Sequence, residues 1–448
     1  MAPRFSDGEA NVVRLGFVMA ERSEDPISHL YVHVPFCAQK CSYCAFYSEP
    51  ASGEVIDRYV GALIRELELV AGDLKPRTIF FGGGTPSLLN MRQWKRVLQA
   101  MDRLKLAGAD EWTVECNPAT VSLEKARMLR DWGVDRVSMG VQSLDNQLLD
   151  CLGRIHTREM AFKSYDTLRA AGFENVNLDL MFAIPGQTLH VWRETLREVV
   201  AMGSEHLSCY EVTYEEDTAL YNRLRAGHFD ADEDSACAMY EELVEAATAG
   251  GFDQYEVSNF ARTEKAEVQA SSAKNPGSAS ALQGPNTRAP GTKPEQGEEE
   301  AVRLVEDRFG LALPKFACRH NTNYWRGGSF YGAGPSATSY VRGVRRKNWS
   351  DTRLYCERLE DGELAIGTSE QLSPLGRAGE TAAFGLRMLA GWPFEQFRKV
   401  TGYDLQGEWA AEIEELTRRG WGRISADRFQ LTNEGIRFAD AAAQLFLR

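Results

Sequence analysis

The chain has 448 residues, of which 43% are hydrophobic and 26% charged, a composition typical of a globular protein with two or three domains. Its formal net charge is -13, which would repel a phosphate backbone and excludes nucleic acid as the main partner. No run of about 18 apolar residues occurs, so no transmembrane segment is predicted.

The N-terminus and the cysteine content favour a cytoplasmic protein. Residues 1–28 lack a continuous apolar segment, so we predict an N-terminal tail and no signal peptide. The nine cysteines, an odd and unevenly spaced set, are not the disulfide framework of a secreted protein. Without an anchor, contact with a membrane would be weak and peripheral. The sequence gives no prediction of the oligomeric state.

Short β-rich runs alternate with longer helical patterns from residue 29 onward. Strands are predicted at 29–34, 77–81, 111–116, 135–141, 175–182 and 206–212. A helix is predicted at 55–70 from its apolar stripe, and another at 123–133 with Gly133 as its C-cap. Six βα units are too few for an eight-stranded barrel, so we predict an α/β fold with a partial (βα)6 barrel over 29–262. In such folds the chemistry lies at the carboxyl ends of the strands.

The βα pattern stops at residue 263. Residues 263–313 are of low complexity and are predicted to be a disordered insertion, with a short helix over 300–313 at its end. Residues 314–345 are expected to complete one side of the barrel. Residues 346–448 predict several helices followed by a hairpin that resembles the wing of a winged-helix module. Because this segment has no concentrated basic face, we interpret it as a packing domain without a DNA role.

Three cysteines, Cys37, Cys41 and Cys44, lie within eight residues after the first predicted strand. Iron–sulfur clusters are usually held by four cysteine thiolates, so three would leave one iron an open position for an exchangeable ligand. A group with adjacent amino and carboxylate functions, such as the methionine end of S-adenosylmethionine (SAM), could chelate that iron. The alternatives are zinc and reduced cysteines without metal; His33 is the nearest fourth zinc ligand, but its strand position suits it poorly.

Polar residues and glycines follow the other predicted strands. Consecutive glycines let a ligand approach the backbone, a glutamate can accept hydrogen bonds from a ribose or an amine, and an arginine can hold a carboxylate. Each residue alone is as readily structural, but together at successive strand ends they predict a ligand site. They are Gly83, Gly84 and Thr85 after the second strand, Glu115, Gln142, Arg154, and Asp179 inside the fifth strand.

The spacing CxxxCxYC after the first strand of a βα barrel resembles the radical SAM superfamily. The resemblance implies a 4Fe-4S cluster on the three cysteines, which gives one electron to SAM and releases a 5′-deoxyadenosyl radical. The motif order "YVHVPFC", "FFGGGTPS", "VECNP", "GVQS", "LGRIHT" and "NLDLMFAIPGQT" is similar to the group around oxygen-independent coproporphyrinogen III oxidase. This similarity covers residues of about 29–262 and 315–448.

The resemblance also implies a role for individual residues. Three are expected to contact the cluster-bound SAM: Tyr31, Gly83 and Glu115. Others are expected to line a second SAM or substrate region: Tyr43, Gly84, Thr85, Gln142, Arg154, Asp179 and Thr213. Thr338 is expected to lie against the adenine.

Two departures from the oxidase pattern indicate the haem-chaperone branch of this family. The oxidase has a further cysteine two residues after the third, where this chain has Phe46. The segment "HNTNYW" at 320–325 resembles a motif of the chaperone branch, and implies haem ligation by His320 with Tyr324 and Trp325 packed on the macrocycle. The six residues alone favour a loop histidine beside two core aromatics; the surrounding resemblance favours haem. The six other histidines have no comparable aromatic context.

The sequence therefore predicts a haem chaperone that binds haem and transfers it to an unidentified acceptor protein, with a three-cysteine 4Fe-4S cluster and exchangeable SAM. The alternatives are an oxygen-independent coproporphyrinogen III oxidase of porphyrin biosynthesis and a radical SAM enzyme with another substrate. The motif "HNTNYW" and the missing fourth cysteine favour the chaperone, although the radical SAM motifs are intact. We assign no catalytic residue.

Overall fold

The computed structural model describes residues 25–50, 52–263, 304–306 and 312–448. The predicted tail lies almost wholly outside these ranges, as does most of the predicted insertion, so both stay predictions. The short helix expected over 300–313 is wrong, because Leu304–Glu306 pairs antiparallel with Ala312–Pro314. The two segments, Leu-Val-Glu and Ala-Leu-Pro, are too short for periodicity to separate a strand from a helical turn, so the pairing partner decides the outcome.

Seventeen strands occur in the described residues: β1 (Ile27–Val34), β2 (Leu74–Gly83), β3 (Glu111–Cys116), β4 (Arg136–Gln142), β5 (Asn175–Phe182), β6 (His206–Glu211), β7 (Asp253–Gln254), β8 (Asn259–Ala261), β9 (Leu304–Glu306), β10 (Ala312–Pro314), β11 (Tyr331–Ala333), β12 (Thr338–Val341), β13 (Val344–Asn348), β14 (Ile366–Gln371), β15 (Trp392–Pro393), β16 (Gly422–Ile424) and β17 (Arg428–Leu431).

The helices of the same residues are α1 (Gly53–Val70), α2 (Met91–Arg103), α3 (Leu123–Asp131), α4 (Asn146–Cys151), α5 (Arg158–Ala170), α6 (Leu189–Met202), α7 (Ala219–Arg225), α8 (Glu233–Ala249), α9 (Arg319–Trp325), α10 (Thr352–Glu360), α11 (Pro374–Gly385), α12 (Phe394–Thr401), α13 (Leu405–Glu408), α14 (Ala410–Arg418), α15 (Asn433–Arg437) and α16 (Ala439–Gln444). None of them has the length and apolar character that crossing a bilayer requires.

The six predicted strands form the centre of one open sheet. Its order is β11-β1-β2-β3-β4-β5-β6-β8-β7, in which β11 and β1 to β6 are parallel and β8 pairs antiparallel with both β6 and β7. Each predicted strand is confirmed to within a few residues at its ends. Since β11 and β7 are edges, the sheet does not close, and the partial barrel is confirmed.

Strand register places the ends of the barrel at defined levels. His29 and Glu111, near the amino ends of β1 and β3, are neighbours of Thr78 in the middle of β2, whereas Val34 and Gly83 are neighbours at the carboxyl ends. Leu30, Val32, Ile79 and Phe81 lie between these levels and are fully buried because helices cover the outer face of the sheet. The register therefore defines two ends of the barrel interior.

A second hydrophobic core lies in the C-terminal part of the chain. Helices α11 to α16 and the sheet β15-β17-β16 surround Trp392, Phe397, Trp409, Phe429 and Phe446, as expected of helices with a small hairpin. The boundary predicted at residue 346 falls within β13, which pairs with both β12 and β14. This three-stranded sheet follows directly on β11, so the second core begins only with α11.

Candidate functional site

The loop that carries the three cysteines starts at the carboxyl end of β1. Its backbone is held at two points: Cys37 N–H donates to Glu49 O (3.2 Å), and Ser42 N–H donates to Leu152 O (2.9 Å). The first bond closes the cysteine loop on itself, and the second ties its middle, between Cys41 and Cys44, to the residue that follows α4.

His33 supports this loop from inside the barrel. Its Nε2 donates to Tyr47 O (2.9 Å), and its Nδ1 lies 3.0 Å from Tyr31 Oη. Burial lowers the pKa of His33, which keeps the ring neutral. Both nitrogens are therefore engaged, and His33 does not serve as a fourth ligand beside the cysteines.

The thiols face a cavity of about 570 Å³ at the carboxyl ends of the strands. This volume is in the range of small-molecule sites. The structure brings most of the predicted site residues to its wall: Cys37, Cys41, Tyr43, Cys44, Gly83, Gly84, Thr85, Glu115, Gln142, Arg154, Asp179 and Thr213.

Two side chains donate hydrogen bonds to the cysteine sulfurs. Thr85 Oγ1 lies 3.6 Å from Cys37 Sγ, and Arg154 Nη1 lies 3.5 Å from Cys41 Sγ. Arg154 Nη2 donates to Gly140 O (2.7 Å), while its Nε is buried without a hydrogen-bond partner. Burial by itself would lower the pKa of Arg154, but Tyr43 and Cys41 raise it above its usual value. The cation is therefore retained beside the thiols.

The donor set fits an iron–sulfur cluster better than a single metal ion. Burial raises the pKa of the Cys44 thiol, and the other two cysteines raise it further, so three thiolates here need a positive centre to offset their repulsion. Among the described residues, no three Cys, His, Asp or Glu side chains converge on a position for one ion. A multinuclear cluster takes one thiolate per iron and does not need such convergence. When bound here, it would supply one-electron reduction to a ligand in the cavity.

The glycine run lets the loop after β2 approach the cysteine loop closely. Gly83 has φ +102, and a Cβ there would lie 2.4 Å from the His33 ring; a Cβ at Gly84 would lie 2.7 Å from Phe36 O. The amide of Gly84 donates to Val34 O, and that of Thr85 donates to Phe36 O, both at 2.8 Å. The run therefore has a structural role, and it also leaves its backbone open to the cavity.

Two carboxyl groups form part of the cavity wall. Glu115 Oε2 accepts from Gly83 N–H (3.2 Å); burial and the nearby Asp179 raise the pKa of Glu115 to about 8. Asp179 accepts from Ser138 Oγ (3.0 Å) and Asn177 Nδ2 (2.7 Å), and burial raises its pKa. Glu115 is thus largely protonated at neutral pH, and a cationic ligand would favour its ionisation.

Gln142 has a backbone conformation that is uncommon for a residue with a side chain. Its φ is +62, and the pairing of β4 with β5 shifts register between Gly140 and Gln142. Such positions occur where the surrounding structure fixes them, often at ligand sites. The shift directs Gln142 into the cavity wall.

Two residues predicted to contact SAM are not part of the cavity wall. Tyr31 is directed to His33, and its ring centroid lies 6.2 Å from that of Phe80. Thr338 lies in β12, where it is paired with Lys347. Their assignment stays a prediction.

The predicted haem motif lies at the other end of the barrel. It forms α9, whose His320 is 1% exposed and lies between Tyr324 and Thr78, which is level with the first residue of β3. His320 Nδ1 is 2.7 Å from Thr78 Oγ1, and its Nε2 is 2.7 Å from Tyr324 Oη; the ring stacks on Phe80 at 5.2 Å. Burial, then His29 and Arg136, lower the pKa of His320 well below its usual value. The ring is neutral, as a metal ligand requires, but both nitrogens have partners.

Trp325 joins this helix to the C-terminal part of the chain. Its ring is half-buried, lies 6.4 Å from that of Phe384, and has the Arg387 guanidinium 4.8 Å from its centroid. Its Nε1 is buried without a hydrogen-bond partner. The motif thus lies where the barrel meets the second core.

The sequence analysis missed several residues of the cavity wall, among them Cys116, Met181 and Tyr210. Met181 is two residues after Asp179, on the same face of β5, and is paired with Tyr210 across the sheet. Strand periodicity could therefore have found Met181. Phe46, at the position of the oxidase's further cysteine, also lines the cavity and is 70% exposed.

Comparison with known proteins places the chain in a family. The model of the Radical SAM superfamily matches residues 31–199, and that of the HemN C-terminal domain matches residues 372–438, where the second core begins. The heme chaperone HemW of Lactococcus lactis is 30% identical, over 93% of this chain and 96% of that protein. The heme chaperone HemW of Mycobacterium tuberculosis is 32% identical, over 93% and 94%. The chain belongs to the HemW family of radical SAM proteins.

Other similarities agree with membership of the HemW family. The heme chaperone HemW of Escherichia coli is 29% identical over 94% of this chain and 98% of that protein. The solved structure of coproporphyrinogen III oxidase (HemN) from Escherichia coli has a TM-score of 0.73 at 20% identity, covering 94% of this chain and 90% of that one. This likeness confirms the fold. Membership of a radical SAM family implies an iron–sulfur cluster and SAM as cofactors.

Proposed function

We propose that this protein is a haem chaperone of the cytoplasm, which binds haem and transfers it to an acceptor protein. It would hold a 4Fe-4S cluster on Cys37, Cys41 and Cys44 and an exchangeable SAM beside it. The observation that carries this proposal is similarity along almost the whole chain to proteins named heme chaperone HemW.

The cavity supports the cluster and SAM. The three thiols share one wall with the loop Gly83–Thr85, and Thr85 and Arg154 donate to sulfurs. Hydrogen bonds of this kind stabilise the reduced, more negative cluster and so tune its potential. Glu115 and Asp179, which also line the cavity, suit the positive charge of a sulfonium or amino group.

Haem ligation by His320 would require a change in its hydrogen-bond partner. A neutral imidazole can ligate haem iron through Nε2, but this atom is bonded to Tyr324 Oη. Ligation therefore requires that this hydrogen bond open and that the ring become accessible. We infer that Tyr324 holds the ligand in a closed state until haem or its acceptor displaces it.

Haem titration of three variants tests this proposal. His320→Ala should lose the Soret shift of the ligated haem. Tyr324→Phe should bind haem up to about fivefold more tightly, because it keeps the ring and removes a hydrogen bond worth about 1 kcal/mol. His228→Ala, which changes an exposed histidine, is the control and should bind as the unmodified protein does. Equal binding by His320→Ala and the control would exclude His320 as the ligand.

The alternative, oxygen-independent coproporphyrinogen III oxidase, has the shared fold in its favour. It is tested by incubating the reconstituted protein with SAM, a reductant and coproporphyrinogen III. The chaperone proposal expects no protoporphyrinogen, and a clear yield would favour the oxidase.

A further inference from the structure

A continuous chain of buried hydrogen bonds crosses the interior of the barrel. It starts at Asp179 in the cavity wall and passes through Asn177, His206 and Tyr255 to the amide of Cys318. The four heavy-atom distances are 2.7, 2.6, 2.8 and 3.1 Å. Cys318 is the residue that immediately precedes α9, so the chain joins the cavity to the helix of His320 and Tyr324.

Every bond in this chain points in the same direction. Asn177 Nδ2 donates to Asp179 and Ser138, so its Oδ1 accepts from His206 Nδ1. Burial, then Arg136, lower the pKa of His206 well below its usual value, so the ring is neutral and its Nε2 accepts from Tyr255 Oη. Tyr255 Oη in turn accepts the Cys318 N–H. Such an aligned chain in a low-dielectric interior is mutually polarised, and a change at one end affects the other.

The start of α9 is also held by a carboxylate. Glu111 accepts from the amides of Arg319 (2.9 Å) and His320 (3.0 Å). Arg136, 2% exposed, is attracted electrostatically to both Glu111 and Asp179. Tyr255 and Glu111 therefore fix the first turn of α9. Tyr255 is linked to Asp179 through the hydrogen-bonded chain, and Glu111 and Asp179 both interact with the charge of Arg136.

We propose that His206 and Tyr255 are positioning residues that couple occupancy of the cavity to the start of α9, and hence to the haem motif. A ligand that contacts Asp179 changes the charge at the acceptor end of the chain. Each hydrogen bond along the chain then changes in strength, including the bond that the Cys318 amide donates to Tyr255 Oη. The proposal rests on the proposed function, because it takes SAM as the cavity ligand. By thermodynamic linkage, haem bound at α9 would change the affinity for SAM by the same factor by which SAM changes the affinity for haem.

Amide hydrogen exchange over residues 315–328 tests the coupling without using haem. In the cluster-reconstituted protein, SAM should change exchange in this segment by about fivefold or more, within the usual range of coupling between sites. Tyr255→Phe, which removes the hydroxyl, should still bind SAM in equilibrium dialysis but show less than about a twofold change. His206→Asn keeps a donor near Asn177 and loses the acceptor for Tyr255. It should also bind SAM without the full change in exchange, and it replaces Tyr255→Phe in the test if that variant does not fold.

Tyr355→Phe is the matched control. Tyr355 is also a fully buried tyrosine whose hydroxyl donates a hydrogen bond, to Glu66 at 2.6 Å, but it lies outside the chain. It should keep the full response to SAM. SAM that binds without changing exchange, or a response kept in both Tyr255→Phe and His206→Asn, would overturn the coupling and leave the proposed function intact. Failure of SAM to bind would overturn both.

Discussion

Glu115 should make SAM binding depend on pH in a way that the structure quantifies. Its pKa is raised to about 8 by burial and by Asp179, so the free protein carries it mainly as the neutral acid. A cationic ligand beside Glu115 favours the ionised form, and binding must then release the proton. SAM affinity should therefore rise with pH up to about 8 and level off above it.

The size of the effect follows from the ionised fraction. With a pKa of about 8, roughly 3% of Glu115 is ionised at about pH 6.5 and about half at about pH 8, so the affinity should rise about 16-fold. Equilibrium dialysis of SAM under anaerobic conditions measures this rise directly. Visible absorption of the cluster, recorded at each pH, is needed to show that the cluster content is constant.

Two variants separate Glu115 from other titrating groups. Glu115→Gln should bind SAM as weakly at high pH as the unmodified protein does at low pH, with a flat profile. Asp179→Asn removes a neighbouring negative charge that raises the Glu115 pKa, so its profile should shift to lower pH. A flat profile in the unmodified protein, or an unchanged slope in Glu115→Gln, would refute the reasoning.

Three further predictions concern the cluster loop and the stability of the fold. Arg154→Met, which removes the donor to Cys41, should lower the iron and sulfide retained after reconstitution, and Arg154→Lys should restore part of it. Gly83→Ala should reduce stability by about 2 kcal/mol or more in denaturant unfolding, because its Cβ meets His33 and its φ is positive; Gly53→Ala, with open space around it, should change little. Glu66, buried among Gly334, Asn348 and Tyr355, has a pKa raised to about 7 by burial, so its stabilising effect is present below about pH 4.5 and is lost as pH rises through 7. The loss should approach about 3 kcal/mol, and a free energy of unfolding that does not fall over this range would contradict it.

The parts of the structure that could be predicted from sequence are those with a local pattern. The strands and α1 follow from runs and stripes of apolar residues, and the strand-end residues meet because parallel strands share one edge. The residues that connect distant segments have no such signal. Asn177 and His206 are paired on β5 and β6, and Tyr255 follows β7, so only the fold brings these three side chains into one chain.

The positions of the two predicted sites constrain how they can act together. Thr78, beside His320, and Gly83, in the cavity wall, are five residues apart on β2, which corresponds to roughly 17 Å along the strand. Haem ligated by His320 at the amino ends therefore does not contact a cluster at the carboxyl ends in this arrangement. Within the described residues, two routes would carry an effect of the cluster or SAM to haem: the barrel interior, or a movement of α9. The buried chain from Asp179 to Cys318 provides the first route, and the hydrogen bond between His320 and Tyr324 is the contact that the second must open.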